Sequence, residues 1–440
     1  MKKILVIGAG RSASTLIKYL IDNSNINNWK ITIADSNIDL ARKKTSNSLN
    51  AKAVFFDAFD VNKRQKLIND SDVVVSMLPS NLHIIIAKDC LMYSKNLITA
   101  SYVSKELQLL NSEVKKKNLI FLNEIGLDPG IDHMSAQKEI DSIKAKGGHI
   151  KSFKSFCGGL IAPKYDNNPW RYKFTWNPRN VVLAGQGTAQ YLYESNYKYI
   201  SYNKLYSNLE KVEVLDAGDF EAYANRDSLS YRKIYNINDV PSILRGTLRR
   251  PGFCEAWNVF VQLGLTDDTF YLEDVENMSW HDYINSFLPN DNSKTIEEKL
   301  KLYLNISDDI ILKLKWLGIF KNDKIGLNKV TPAQILQHIL EKKWSLDEND
   351  KDMIVMQHQF IYEIDGQVKH LHSSLILEGE NQTHTAMSMT VGLPVAIATK
   401  LILQGKIKTN GVQIPNTKEI YNPVLKELES FKIKFIDKFF

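Results

Sequence analysis

Small residues near the amino terminus have the spacing of a dinucleotide-binding turn. Gly8, Gly10 and Ala13 lie between the apolar run KILVI and a segment with helical periodicity. In such a turn the first glycine permits a tight bend, the second lets the backbone approach a pyrophosphate, and the third small residue lets the helix pack on the strand. The amino terminus of the helix then directs its partial positive charge toward the phosphates. The pattern predicts a dinucleotide site that includes Arg11 and Ser12; a tight turn without a ligand is the alternative.

A carboxylate ends the second predicted strand. Asp35 lies about 25 residues after Gly10. A carboxylate at this position hydrogen-bonds a ribose hydroxyl and repels a 2′-phosphate, which favours NAD over NADP. Arg42 and Lys43 lie further along and could serve a phosphate, and Asp35 could instead be a simple turn cap. We expect NAD as the cofactor, with NADP as the alternative.

The sequence NEIGLDPGIDH at 123–133 places several carboxylates in one loop after a predicted strand. In open parallel sheets ligands bind beyond the carboxyl ends of the strands, so Asp128 is a candidate for contact with a substrate. Simpler roles are also consistent with this loop. Asp128 is a good N-cap, Pro129 suits the first helical position, and His133 is more often a residue of the helix face than a catalyst.

Arginines recur beside aromatic residues in the stretch that follows. They are Arg171, Arg226, Arg245, Arg249 and Arg250. Arginine binds carboxylates through two parallel hydrogen bonds. Each of these arginines taken alone is more often part of a surface or structural ion pair, but several in one domain suit a small substrate with more than one carboxylate.

Elements that position these residues can be read from the hydrophobic pattern. Six apolar runs lie at 3–7, 31–35, 53–56, 73–79, 96–100 and 119–123. Helical segments separate them. Strands and helices that alternate at this spacing predict a parallel sheet with helices on both faces.

The pattern changes beyond Asp128. Shorter strands up to about residue 265 predict an α/β region with a mixed sheet, and residues from about 270 to 350 have helical periodicity. Two alternating runs then flank Asp365-Gly366, which predicts a hairpin. The expected class is α/β, with a Rossmann-type parallel-sheet domain, an α/β substrate domain with a mixed sheet and a small helical subdomain.

Basic residues exceed acidic residues only slightly. There are 56 Lys and Arg against 50 Asp and Glu, a formal net charge of +6 over 440 residues. A nucleic-acid-binding protein concentrates its positive charge on one face, whereas these residues are scattered. We expect no nucleic-acid partner and a small-molecule substrate.

Cysteine and histidine usage indicates the compartment and the absence of a metal. Cys90, Cys157 and Cys254 are too far apart for a CxxC site or a disulfide framework, which is typical of a reducing compartment. The histidines of HLH at 370–372 have no obvious third ligand, so we expect no metal. The amino-terminal apolar run is too short for a signal peptide, and the apolar stretch 391–403 is too short to span a bilayer. We expect a cytoplasmic protein without a membrane partner.

Motifs spread over the whole chain resemble those of the glutamate-forming saccharopine dehydrogenases, also called saccharopine reductases. The motifs are GAGRSA (8–13), LPSNLH (78–83), TASYVS (99–104), NEIGLDPGIDH (123–133), SFCGGL (155–160), NNPWRYKFTW (167–176), NRDS (225–228), RGTLRRPGF (245–253) and MSMTVGLPVAIATKLILQGKI (387–407). Together they are much more specific than the dinucleotide turn alone.

The resemblance implies three domains. Residues 1–128 and about 385–440 would form the Rossmann dinucleotide-binding domain, 129–268 and 352–384 an α/β substrate and dimerisation domain, and 269–351 a helical subdomain. The predicted hairpin could add to a sheet across a homodimer.

The resemblance also implies a reaction, the NAD(P)-dependent oxidative cleavage of saccharopine to L-glutamate and 2-aminoadipate 6-semialdehyde in lysine metabolism. A hydride leaves the carbon attached to the secondary amine, water attacks the resulting imine, and the carbinolamine collapses. Proton transfers accompany these steps, although orientation and charge stabilisation can matter more than a single acid or base. Carried over, Tyr102, Asp128 and Cys157 are the candidate catalytic residues.

Further residues of the matching motifs are implied in substrate binding. Ser101, Arg226, Arg245 and Thr247 would contact the amino-acid substrate, and the two arginines would hold its carboxylates.

Cofactor binding is implied for Leu78 and Pro79, which would join the residues of the amino-terminal turn. Asp35 makes the chain similar to those family members that have an acidic residue at this position and use NAD.

Two other functions are consistent with the same residues. A related reductive-amination enzyme, such as a carboxynorspermidine dehydrogenase, would use similar arginines for carboxylates. A non-catalytic NAD-binding scaffold would need only the dinucleotide turn. The presence of Tyr102, Asp128, Arg226 and Arg245 argues against the scaffold.

Overall fold

The computed structural model describes residues 1–45 and 48–440. These residues form two compact units, one of 1–150 with 362–440 and one of 151–361. The three-domain boundaries implied by the resemblance stay a prediction.

The strands are β1 (Lys2–Ile7), β2 (Trp29–Asp35), β3 (Ala51–Phe55), β4 (Val73–Ser76), β5 (Asn96–Ile98), β6 (Ile120–Leu122), β7 (His149–Ile161), β8 (Ala189–Tyr193), β9 (Asn196–Ile200), β10 (Leu209–Glu213), β11 (Asp219–Ala224), β12 (Ser242–Arg249), β13 (Asp352–Ile364), β14 (Gln367–Glu378), β15 (Gly411–Gln413) and β16 (Ile436–Phe439).

The α-helices are α1 (Ser14–Asp22), α2 (Ser24–Asn27), α3 (Ile38–Thr45), α4 (Val61–Asn69), α5 (His83–Met92), α6 (Lys105–Leu109), α7 (Asn111–Lys116), α8 (Ile131–Ala145), α9 (Pro178–Val182), α10 (Tyr202–Leu205), α11 (Tyr231–Ile234), α12 (Phe253–Gln262), α13 (Trp280–Asn285), α14 (Ile296–Leu304), α15 (Asp308–Leu317), α16 (Pro332–Lys343), α17 (Ala386–Leu403) and α18 (Lys418–Leu428).

The first unit contains a seven-stranded sheet in the order β15-β6-β5-β4-β1-β2-β3, and all of its strand pairs are parallel. This confirms the predicted Rossmann-type sheet and adds β15, which the sequence analysis did not predict. All four residues of β4, VVVS, are buried, as expected of a strand covered on both faces. The strand order reverses between β1 and β4, and ligands bind at the carboxyl ends of the strands around such a point.

A long apolar helix completes the core of the first unit. Helix α17 packs against α1, and Gly392 permits the close approach because a Cβ there would lie 2.8 Å from the backbone nitrogen of Leu16. The apolar stretch predicted at 391–403 is thus part of an 18-residue helix, which by length and composition alone could cross a membrane. However, 83% of its residues are buried within the protein, and a buried core helix has the same apolar composition.

The second unit contains a mixed sheet. Its strands follow the order β10-β11-β12-β7-β13; β12 is parallel to β7, and β11 is antiparallel to both of its neighbours. Strand β8 pairs with β12 and, antiparallel, with the hairpin partner β9. The mixed sheet confirms the fold predicted for this part of the chain.

Two capping boxes define helices of the second unit. Thr295 caps α14 together with Glu298, and Thr331 caps α16 together with Gln334, so each pair satisfies amide groups that the first turn leaves unbonded. The helices predicted between about 270 and 350 are therefore present.

The chain then enters the hairpin of β13 and β14. Asp365 and Gly366 both have positive φ, which is the backbone conformation that a two-residue hairpin turn requires.

Candidate active site

The amino-terminal turn has the geometry that its glycines predict. Gly8 has a φ of 101°, and a Cβ at this position would lie 2.7 Å from the carbonyl oxygen of Met77. A Cβ at Gly10 would meet nothing within 4 Å, so the space in front of the turn is open. Ala13 is buried under the start of α1, while Arg11 is exposed and Ser12 half-buried. The turn therefore fits a ligand that approaches the backbone closely.

Asp35 joins the end of β2 to this turn. Its Oδ2 accepts a hydrogen bond from the amide of Ala9 at 2.6 Å, and its Oδ1 accepts one from the amide of Asn37 at 2.8 Å. The turn-cap role considered for Asp35 is therefore present. A carboxylate offers about four acceptor positions, so two backbone contacts leave capacity for a ribose hydroxyl. Of the basic residues nearby, Arg42 lies 3.1 Å from Asp39 in an exposed ion pair.

The ends of three neighbouring strands bring the candidate residues of the first unit together. Leu78 and Pro79 follow β4, Ser101 and Tyr102 follow β5, and Asp128 follows β6. Because β4, β5 and β6 are parallel neighbours, their carboxyl ends meet at one edge of the sheet.

Tyr102 and Asp128 form a pair at this edge. The Tyr102 side chain is 52% exposed, and its hydroxyl donates to Oδ1 of the half-buried Asp128 at 3.4 Å. A ligand can therefore reach the phenol, while the carboxylate holds its hydroxyl in a defined direction.

A residue that the sequence analysis did not select, Glu124, holds the loop that carries Ser101 and Tyr102. Its amide donates to the carbonyl oxygen of Ser101 at 3.0 Å, and its Oε1 accepts from the amide of Val103 at 3.0 Å. Its Oε2 lies 2.8 Å from Nε2 of His133, which is fully buried on α8. The presence of Glu124 in the carboxylate-rich motif at 123–133 is the sequence signal that could have indicated this role.

The expected cap at Asp128 is wrong. Helix α8 begins at Ile131, its N-cap position is Gly130, and Pro129 lies outside the helix. The chain folds back on itself, since the amide of Gly126 donates to the carbonyl oxygen of Pro129 at 2.9 Å. Gly130 has a φ of 147°, and a Cβ there would lie 2.1 Å from the carbonyl oxygen of Gly126. This tight loop leaves the Asp128 carboxylate for Tyr102.

In the second unit, neighbouring strands bring three of the candidates together. Cys157 of β7 stands opposite Thr247 of β12 in the parallel register, and Arg245 lies two residues before Thr247 on the same face of β12. The hydroxyl of Thr247 donates to Oδ1 of Asn225 at 2.7 Å. Arg226, the next residue after Asn225, is exposed.

Arg245 is buried against an aromatic ring. Only 4% of its surface is exposed, and its guanidinium carbon lies 3.9 Å from the ring centroid of Tyr231. Its amide donates to the hydroxyl of Ser228 at 2.8 Å. The ring and the strand together fix a planar cation that can bind a carboxylate through two hydrogen bonds.

Metal ligation has little support in the described residues, where no group of three or more His, Cys, Asp and Glu side chains lies close enough to hold an ion. The cysteines Cys90 and Cys254 are buried, and burial raises the pKa of both thiols. Cys157 is also buried and forms no disulfide.

Family models match nearly the whole chain. Residues 4–122 match the saccharopine dehydrogenase NADP binding domain, and residues 126–433 match the saccharopine dehydrogenase C-terminal domain. The chain belongs to the saccharopine dehydrogenase family. The predicted family is thereby confirmed.

Individual members of the saccharopine dehydrogenase family are similar over most of the chain. The saccharopine dehydrogenase (NADP(+), L-glutamate-forming) of Saccharomyces cerevisiae is 33% identical over 436 residues, 97% of each chain. The mitochondrial alpha-aminoadipic semialdehyde synthase of Rattus norvegicus is 34% identical over 449 residues, which are 99% of this chain and 47% of the rat protein. The chain thus spans about half the length of the rat relative.

A solved structure supports the same assignment. Apo saccharopine dehydrogenase (L-Glu forming) from Saccharomyces cerevisiae superposes with a TM-score of 0.90 over 100% of both chains at 32% identity. The predicted fold class is confirmed. The roles of the individual candidate residues within this family member stay predictions.

Proposed function

We propose that the chain is an NAD(P)-dependent saccharopine dehydrogenase that releases L-glutamate and 2-aminoadipate 6-semialdehyde. The observation that carries the proposal is the family match along both units, together with a phenol–carboxylate pair at the same carboxyl edge of the sheet as the dinucleotide turn. Saccharopine and water are consumed, and together they lose one hydride and one proton.

The residues of the turn fit a dinucleotide. Gly8 and Gly10 let the backbone approach a pyrophosphate, the start of α1 provides a partial positive charge, and Asp35 has acceptor capacity left for a ribose hydroxyl. When bound, the nicotinamide supplies the acceptor for the hydride that the substrate loses.

Tyr102 and Asp128 handle protons in this proposal. The secondary amine of saccharopine must be neutral before its neighbouring carbon can lose a hydride, and the water that adds to the imine must lose a proton. A phenol that is held by a carboxylate can orient the amine and relay these protons. Cys157 stands opposite Thr247 in the second unit, and its catalytic role stays a prediction.

Arg226 and Arg245 bind substrate carboxylates, and Thr247 and Ser101 add hydroxyl contacts. Arg245 supports this assignment best, because a planar cation fixed on a ring loses little freedom when it binds a carboxylate. The residue is therefore expected to contribute mainly to substrate affinity.

We further propose that the cofactor is NAD. Asp35 supports this choice, since a carboxylate tied to the turn repels a 2′-phosphate. The yeast relative, in contrast, is named for NADP(+). The test compares kcat/KM for both dinucleotides in the parent and in Asp35→Asn, which keeps the shape of the side chain and removes the charge. We expect the parent to prefer NAD, and we expect the ratio of kcat/KM for NAD to that for NADP to be about tenfold lower in the variant. A parent that prefers NADP would contradict the assignment of NAD and leave the reaction intact.

The reaction is tested by following the near-ultraviolet absorbance of the reduced nicotinamide with purified protein and saccharopine. Reduction of the dinucleotide with release of one glutamate per turnover is the expected result. Dinucleotide binding without reduction would contradict the proposal. Turnover with other amine–carboxylate conjugates would then favour a related reductive-amination enzyme, and its absence would favour the scaffold.

We also propose a cytoplasmic location and a homodimer. Three buried thiols without a disulfide support a reducing compartment. Strand β16 pairs with β14 and ends its sheet, and it supports sheet addition between two copies because Ile436, Phe439 and Phe440 are exposed. Cell fractionation and light scattering test the two statements separately.

A further inference from the structure

A buried histidine connects Ser101 to the end of a neighbouring strand. His83, the first residue of α5, is 2% exposed. Its Nδ1 lies 2.9 Å from the hydroxyl of Ser76, and its Nε2 lies 2.7 Å from the hydroxyl of Ser101. Ser76 is fully buried, whereas Ser101 is half-buried. The chain of hydrogen bonds therefore runs from the interior to a candidate substrate contact.

The sheet explains why these residues meet. Ser76 ends β4, and Ser101 lies just beyond β5, its parallel neighbour. His83 begins the helix that follows β4, so its ring spans the two strand ends. Burial of two polar ring nitrogens has a free-energy cost unless both are hydrogen-bonded. Both nitrogens are hydrogen-bonded here, and an aromatic ring without nitrogen would fill the same volume.

The ring is neutral under ordinary conditions. Burial lowers the pKa of His83 to about 4, and no charged residue contributes to this shift. A neutral imidazole donates through one nitrogen and accepts through the other. The polarity of the hydrogen bond to Ser101 therefore depends on which nitrogen carries the proton.

Two buried hydroxyls compete for the one acceptor nitrogen of the neutral ring. Oγ1 of Thr99 accepts from the amide of Ser101 at 3.2 Å and lies 3.4 Å from Nε2 of His83, while the hydroxyl of Ser76 lies 2.9 Å from Nδ1. Thr99 is 1% exposed and Ser76 is 0% exposed, so each hydroxyl hydrogen needs an acceptor within the protein. In the tautomer with its proton on Nδ1, the ring donates to Ser76 and its Nε2 accepts from Ser101.

We infer that His83 is a positioning residue for the saccharopine reaction and that it carries its proton on Nδ1, so that it turns the Ser101 hydroxyl inward as a donor and presents the Ser101 oxygen to the substrate as an acceptor. The inference rests on the proposed function. The chemical partner is an N–H of the secondary amine, which an outward-facing oxygen lone pair can bind. A fixed N–H···O contact orients the nitrogen relative to the carbon that loses the hydride.

The test uses a double-mutant cycle of His83→Phe and Ser101→Ala, with His83→Gln as the conservative variant. His83→Phe keeps a planar ring and removes both hydrogen bonds, whereas the amide oxygen of Gln can still accept from Ser101. Cys90→Ala, a fully buried position on the same helix, is the control for lost packing. Kinetics with saccharopine are compared with dinucleotide affinity, and thermal unfolding monitors the fold.

We expect each of His83→Phe and Ser101→Ala to lower kcat/KM for saccharopine by roughly 10- to 100-fold. The double variant should be no slower than the single ones, because His83 acts through Ser101. We expect His83→Gln to recover most of the activity, and dinucleotide affinity and Cys90→Ala activity to stay near the parent values. In ¹⁵N-histidine NMR spectra, the signal that His83→Gln removes should be that of the Nδ1–H tautomer.

Fully additive losses in the double variant would overturn the inference, as would an Nε2–H tautomer. Should His83→Phe not fold, the cycle of His83→Gln with Ser101→Ala and the tautomer measurement decide the question. A parent that turns over saccharopine while the His83 variants match it contradicts only the inference. A parent that binds dinucleotide without turnover contradicts the proposed function, and the inference with it.

Discussion

The first unit and the face of β12 hold buried polar groups in different ways. In the first unit, opposite charges pair, as in Arg64 with Asp89 at 2.5 Å. On β12, the buried Arg249 lies among aromatic rings, with its guanidinium carbon 5.2 Å from the Tyr172 centroid and 5.3 Å from that of Phe253. Within 1–45 and 48–440, no carboxylate lies within ion-pair distance of Arg249.

The two regions therefore serve different purposes: the paired groups of the first unit position side chains, and the cations of β12 attract an anionic ligand. Groups that are paired inside the first unit hold loops and hydroxyls in place, as Glu124 does for the loop of Ser101. On β12, Arg245, Thr247 and Arg249 alternate with apolar residues and so share one face, with about 6.6 Å between successive members. A strand face with two buried cations suits an anionic ligand. Four substitutions test this comparison.

The largest expected effect is on stability in the first unit. Arg64→Met leaves the Asp89 carboxylate buried without its charged partner and with only the Gln65 amide as a donor, and the two side chains of the ion pair are only 10% and 6% exposed. We expect the free energy of unfolding to fall by about 3–5 kcal/mol, measured by urea denaturation. As the control, the pair Arg64→Met with Asp89→Leu should recover much of the loss. A loss below about 1 kcal/mol would show that the pair is not a major source of stability.

The second prediction concerns substrate affinity in the second unit. Arg245→Met removes the guanidinium that is stacked on Tyr231 and should raise KM for saccharopine about 100-fold, which corresponds to about 2.7 kcal/mol. Arg245→Lys keeps the charge but loses the planar fork, so its KM should lie between the two. Steady-state kinetics on variants with parent-like melting curves give the measurement. An unchanged KM in Arg245→Met would remove this residue from the substrate site.

The third prediction is a pH dependence of stability from His83. Its pKa of about 4 in the folded chain is below the value of about 6.5 in the unfolded chain, so on acidification the unfolded chain binds the proton first. The stabilising contribution is complete above about pH 6.5 and is lost as the pH falls toward 4.

Between about pH 7 and pH 5, the parent should lose roughly 2 kcal/mol more stability than His83→Phe, since other titrating groups affect both proteins alike. Urea denaturation at each pH measures the difference. Equal losses in the two proteins would mean that the folded chain protonates the His83 ring as readily as the unfolded chain does.

Local patterns predicted the parts of the fold and site that depend on neighbours in sequence. Gly8 and Asp35 are where a dinucleotide turn requires them, and the apolar runs became the parallel strands. His83 and Thr99 were missed because only the pairing of β4 with β5 brings them together. The expected cap at Asp128 is wrong because the tight loop that ends at Gly130 overrides the local preference.

The smallest expected effect is at Arg249, and it tests the comparison most directly. Arg249→Met removes cation–π contacts worth about 0.5–2 kcal/mol, but it also relieves the cost of a buried charge whose Nε has no hydrogen-bond partner among the residues that the structure describes. Because these contributions oppose each other, we expect the free energy of unfolding to change by less than about 1 kcal/mol in urea. The methionine has a similar volume and keeps the packing against the rings. A loss as large as that of Arg64→Met would show that aromatic rings stabilise a buried guanidinium as well as a carboxylate does. The first unit and the face of β12 would then use different groups to stabilise a buried charge to the same extent.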